Sequence, residues 1–103
     1  ADAESVAAIG RHFADALPGQ LAGLRRAFEA GDHPRLQREA HTLTGLFGTF
    51  LALPAMQAAA AIDRALRNGA VDALPAMIAT LDAEAGAFGA VLDAVLPAAP
   101  PPP

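Results

Sequence analysis

A chain of 103 residues, 53% of them apolar, is long enough to build one domain around one core, and its length points to no more than one. It carries no cysteine, and His12, His33 and His41 lack the close spacing of a zinc motif, which excludes a disulfide framework and a thiolate metal site. The net charge of −4 speaks against a nucleic-acid partner, and Arg64, Arg67, Asp72 and Asp82 interrupt the alanine-rich second half before any apolar run reaches the roughly 20 residues of a membrane span.

Alanine, leucine and arginine dominate, β-branched residues are few and no alternating strand pattern occurs, so the chain reads as all-α. A first amphipathic helix is predicted over 4–16, with Ser5 as its N-cap and Val6, Ile9, Phe13 and Leu17 at helical spacing. Pro18 either breaks this helix or begins the next turn. Over 18–30 a second stripe of Leu21, Leu24 and Phe28 follows, ending at Gly31, where a left-handed residue is wanted.

Asp32 is placed to cap a helix over 33–51, which accepts Pro34 in its first turn and carries His41 near its middle. Pro54 opens a helix over 54–67 containing Met56, Ala60, Ile62 and Leu66, which Asn68-Gly69 stops. Asp72 is placed to cap the last helix, 72–96, where Leu74, Met77, Ile78, Leu81, Phe88, Leu92 and Val95 recur near heptad spacing. The three connections between these last four helices are short, which makes consecutive helices antiparallel. The expected architecture is an up-and-down four-helix bundle with an additional N-terminal helix over 1–97, and a disordered proline-rich tail over 98–103. Phe13, Phe28, Phe47, Phe50 and Phe88 belong to the core.

At 100° per residue, Gln37, Arg38, Thr44, Gly45 and Gly48 fall within about 60° of His41, whereas Leu36, Ala40, Leu43, Leu46, Phe47, Phe50 and Leu51 fill the opposite arc. The imidazole therefore points to solvent on a face kept clear of bulk. Helix-interior glycines cost roughly 1 kcal/mol each relative to alanine, so two of them on an outward face ask for a reason that folding does not supply. Close approach by a partner supplies one. Arg25, Arg26, Arg35 and Arg38 cluster ahead of His41, a basic rim suited to an acidic surface, while Asp72, Asp82, Glu84 and Asp93 make the C-terminal third acidic. Gln37 is one turn from His41, within reach to orient the ring by a hydrogen bond. His12 and His33 read as ordinary surface residues.

The run Ala40-His41-x-Leu43-x-Gly45 follows a Leu21-x-x-Leu24-x-x-Ala27-Phe28-x-Ala30-Gly31-Asp32 segment and precedes a helix ending Ala65-Leu66-Arg67-Asn68-Gly69. This pattern resembles the histidine-containing phosphotransfer (HPt) family of two-component phosphorelays. The resemblance implies that His41 accepts a phosphoryl group from a receiver-domain aspartyl phosphate and passes it to the aspartate of a response regulator. It further implies receiver domains as partners, with Gln37, Arg38, Thr44, Gly45 and Gly48 on the docking face, and no cofactor in this domain, Mg²⁺ residing in the partner receiver. A neutral imidazole keeps one ring nitrogen unprotonated, and on an outward face the outer nitrogen is free as nucleophile. Nothing here resembles an autonomous catalyst, since there is no nucleotide loop, no lysine and no paired carboxylates.

Two positions depart from the family. Thr44 stands three residues after the histidine, where lysine is usual, and Leu51 stands ten residues after, where glycine is usual. Arg38 is the candidate for the missing charge, and the change to Leu51 reads as a matter of packing. Two other readings stay open: a phosphorylation-independent docking module for receiver domains, and a generic bundle that oligomerises through the alanine-rich face at 58–61. The chain begins without methionine and shows no signal-peptide pattern, so it is expected to be a piece of a longer protein, a monomer in isolation without direct membrane contact. Arginine-only basic usage with abundant alanine, glycine and proline points to a GC-rich bacterial source. The resemblance places the chain at the C-terminus of an unorthodox hybrid sensor histidine kinase of the inner membrane, on its cytoplasmic side.

Overall fold

The computed structural model describes residues 3–96, so the tail expected at 98–103 lies outside the described residues. Helix α1 spans Ala3–Glu29, α2 His33–Thr49, α3 Leu53–Arg67 and α4 Leu74–Val95, with a 3₁₀ turn at Val71–Ala73 leading into α4. Helix α1 packs on α2 and α4, α2 on α3, and α3 on α4, closing the four into a ring. Short connections make consecutive helices antiparallel, the up-and-down bundle expected. None of the described helices is long and apolar enough to cross a membrane.

The local chemistry explains most boundaries. Asp32 accepts a hydrogen bond from the Arg35 backbone N–H at 3.1 Å, capping α2 as expected. Gly31 and Gly69 take φ of +67° and +70°, the left-handed conformation that ends α1 and α3 and that glycine adopts without a Cβ clash. Pro34, Pro54 and Pro75 each lie in the first turn of a helix, where no intrahelical N–H is lost.

Four expectations are corrected. The additional N-terminal helix is not separate: α1 runs unbroken through Pro18. Phe13, Leu17, Leu24 and Ala27 lie on one buried face that continues across it, and the exposed Pro18 leaves the freed carbonyl one turn back able to bond water. Ser5 is an interior residue of α1 rather than its cap. Asp72 sits in the 3₁₀ turn, and α4 starts two residues later with Ala73 as a cap that makes no side-chain hydrogen bond. Val6 and Ile9, expected to pack, are 54% and 58% exposed. A 27-residue α1 is about 40 Å long against about 25 Å for the 17 residues of α2, so its first turns outrun their neighbours.

Leu24, Leu36, Leu43, Phe47, Ile62, Leu74 and Leu81 are fully buried at the centre. Around one end of this core Phe13 stacks on Phe50 with centroids 4.9 Å apart and meets Phe47 edge-on at 5.7 Å, while Phe88 closes the cluster 6.0 Å from Phe47. On α3 the buried side is mostly alanine, Ala55, Ala58, Ala59 and Ala65 flanking Ile62, which lets α2 and α4 approach closely. Of the alanine stretch at 58–61, Ala58 and Ala59 are thereby taken up inside the bundle, while Ala60 and Ala61 are half-buried. Side-chain pairs join α1 to α4, Arg25 with Asp82 and Arg11 with Asp93 at 2.9 Å. The hydrogen bond to Asp93 raises the Arg11 pKa above its ordinary value.

Candidate functional site

Helix α2 buries Leu36, Ala40, Leu43 and Phe47 along one side, and this stripe fixes the rotation of the whole element. His41 is consequently exposed, as its angular position requires. Its ring lines an open depression of about 600 Å³ between α2 and α3, with Pro34, Gln37, Arg38 and Thr42 from its own helix and Asp63 and Arg67 from the next.

One turn beyond His41, a Cβ built on Gly45 would meet nothing within 4 Å. No neighbour among the described residues demands a glycine there, and the residue is exposed on the helix surface. Gly48 is different. It is half-buried, and a Cβ there would come within 3.3 Å of Met56 Sδ on α3. Its reason for being small is the approach of α3, so the two glycines do not share one explanation.

Thr44 is half-buried, its hydroxyl donating to the Ala40 carbonyl one turn back on its own helix at 2.8 Å. At the position where the resembling family carries lysine, it presents a methyl and a spent donor. Leu51 is also reassigned. Helix α2 stops at Thr49, and Leu51 follows at φ 57°, 79% exposed. It takes no part in packing; its position requires a left-handed backbone, which is what glycine tolerates and leucine strains to adopt.

Gln37 does not reach for His41. Its Nε2 donates to Asp63 Oδ1 at 3.0 Å, bridging α2 and α3. The other oxygen of Asp63 lies 3.0 Å from Arg67 Nη2, an ion pair to the next turn of α3. Both carboxylate oxygens are therefore engaged, and two elements are tied at the depression that holds the histidine. The basic residues expected ahead of His41 disperse: Arg25 faces α4 through Asp82, and Arg35 lies 3.8 Å from Glu39. Arg38 lines the depression and makes no ion pair among the described residues. The rim of the site is thus Arg38 and Arg67, one cation from each helix.

The periodicity of α2 alone does not place Asp63 and Arg67 beside His41. The signal was nevertheless present in the antiparallel hairpin: residues at similar distances on either side of the 50–52 turn lie level with one another, which puts Asp63 within about a turn of His41. His12 and His33 are exposed and lie outside the depression. No group of three or more His, Asp or Glu among the described residues is gathered as metal ligands would be.

One family profile, described as the Hpt domain, matches residues 10–95, from the first third of α1 to the end of α4. Comparison with curated proteins gave no match, and neither did comparison with solved structures.

Proposed function

The chain belongs to the Hpt domain family, phosphotransfer domains of two-component signalling, and we propose that it works as a carrier in a phosphorelay with His41 as the covalent intermediate. The observation that carries this reading is the exposed His41 in the depression between α2 and α3, one turn from a glycine whose surroundings are open. In the transfer step the outer ring nitrogen, Nε2, attacks the phosphorus of a receiver's aspartyl phosphate. A P–N bond forms, the acyl P–O bond breaks with its electron pair, and the receiver recovers its carboxylate. The ring proton on Nδ1 then exchanges with water. The second transfer reverses these changes on the aspartate of a response regulator.

In-line displacement brings a whole receiver pocket to within bonding distance of one ring nitrogen. Bulk at Gly45 would hold that pocket off, which gives the open glycine a use. The partner surface comprises Gln37, Arg38, Thr44, Gly45 and Gly48, with Gly48 at its α3-facing margin. Positive charge comes from Arg38 in place of the lysine replaced by Thr44. Mg²⁺ and the remaining stabilisation of the transferring group belong to the receiver. The partners are receiver domains of a hybrid sensor kinase and of its response regulator, and the setting is the cytoplasmic side of a bacterial inner membrane.

Phosphoryl transfer from a charged receiver to this domain and to its His41→Gln variant tests the reading, followed as an acid-labile label. Labelling of the parent alone is expected. A second reading draws on Thr44, whose hydroxyl is spent on its own helix and leaves no cation at that position: a docking module that binds receivers without accepting phosphate. Binding of the receiver with no label on either protein would favour it.

A further inference from the structure

The depression around His41 contains an acid as well as two bases, and the acid is the unexpected member. A bare carboxylate opposes the arrival of a phosphoryl group carrying nearly two negative charges. The Asp63 side chain is only 14% exposed, while that of its partner Arg67 is 59% exposed. The carboxylate is thus the enclosed half of the pair, held independently by Gln37 Nε2 from α2, and the guanidinium is the solvent-exposed half.

Resting on the reading of His41 as phosphoacceptor, we infer that Arg67 is a phosphoryl-responsive clamp, held by Asp63 while His41 is bare and handed to the phosphoryl group once His41 carries one. The exchange is favoured on three counts. The pair is open to solvent on the arginine's side, which weakens its hold on the guanidinium, and Arg–phosphate pairs are strong and bidentate. The new anion lies in the same depression, so the arginine stays on its own side of the site. Asp63 keeps one hydrogen bond after the arginine leaves, because Gln37 remains on Oδ1.

The competition has a functional consequence. A carrier must surrender its phosphoryl group, and a clamp without a rival would hold it. Asp63 offsets part of the attraction of Arg67 and keeps the phosphorylated state near balance with the receiver's aspartyl phosphate. Arg67 and Asp63 are positioning residues here, since each acts on the charge of the group rather than on a bond being made.

The test loads the domain with phosphoramidate, which needs no receiver. His41 Nε2 takes the phosphoryl group, the P–N bond of phosphoramidate breaks to release ammonia, and the ring proton passes to water. The pH titration of the phosphorus-31 resonance then reads the second ionisation of the bound group. A neighbouring cation favours the dianion, so Arg67→Gln is expected to raise that pKa by about one unit, Asp63→Asn to lower it, and Arg67→Lys to recover most of the loss. Arg64→Gln removes an exposed cation from the same helix outside the depression and is expected to change nothing.

A titration unmoved by Arg67→Gln in a labelled, folded domain overturns the clamp and leaves the phosphoacceptor reading intact. An equal shift from Arg64→Gln overturns it too, by showing a general charge effect. Failure of the parent to take phosphate on His41 removes both.

Discussion

Gln37 and Asp63 are joined by a hydrogen bond of 3.0 Å that crosses from α2 to α3 at the depression holding His41. The bond is partly buried and its acceptor is a carboxylate, so it ties the two helices together beside His41. Gln37→Ala and Asp63→Ala, alone and together, are expected to show a coupling of about 1 kcal/mol in urea unfolding. Strict additivity would mean that the bond is not held in solution and that the acid is positioned by Arg67 alone.

Leu51 carries a different cost. Its φ of 57° lies in the region where an L-residue pays for the approach of Cβ to the backbone, and at 79% exposure the side chain recovers little by burial. Leu51→Gly is expected to stabilise the domain by about 0.5–1 kcal/mol, the relief of strain being partly offset by the greater freedom of glycine in the unfolded chain. That corresponds to a rise of roughly 2–8 °C in melting temperature for a domain of this size. A fall would show that the leucine has packing of its own.

Pro18 makes a parallel case within α1. The helix continues through it although proline has no N–H to offer the carbonyl one turn back and its ring crowds that carbonyl. The residue is exposed, so removing it deletes no core contact. Pro18→Ala is expected to raise stability by about 1–2 kcal/mol, less than the full interior penalty of about 3 kcal/mol because the unfolded chain also gains freedom. Calorimetry checks it, and destabilisation would show that a proline-induced bend is needed to seat Phe13 and Leu24 together.

The sequence exposed the parts of this fold that local chemistry controls and hid those decided by competition between elements. Asp32, Gly31, Gly69 and the first-turn prolines were legible because a cap or a left-handed turn is set by one or two residues. The stripe of Leu36, Ala40, Leu43 and Phe47 likewise fixed the outward direction of His41 before any neighbour was known. Continuity through Pro18 was not legible, because a proline's local penalty loses to a buried face running through Phe13, Leu17 and Leu24 on both sides of it. Nor was the destination of Gln37: helix periodicity places it one turn from His41, but only the seating of α3 offers it a carboxylate. Leu51 falls in the apolar arc only on a helix that continues past Thr49, whereas the backbone there turns left-handed and carries the side chain into solvent.

Gly45 separates the demands of folding from those of the proposed partner. A Cβ at this position would meet nothing within 4 Å, and the residue lies inside α2, where alanine is favoured over glycine by about 1 kcal/mol. Gly45→Ala is therefore expected to stabilise the isolated domain by about 0.5–1 kcal/mol in urea unfolding. In the same protein, phosphoryl transfer from a receiver should slow by an order of magnitude or more, because the added methyl stands where the receiver pocket must close on His41. Loading by phosphoramidate, a small donor that needs no such approach, should be unchanged. Gly48→Ala is the contrast: its methyl would press on Met56 Sδ at 3.3 Å, so the helix-propensity gain is largely cancelled and stability stays near that of the parent. A Gly45→Ala domain that is more stable and transfers at the parental rate would show that the open face around that glycine is not where the receiver binds.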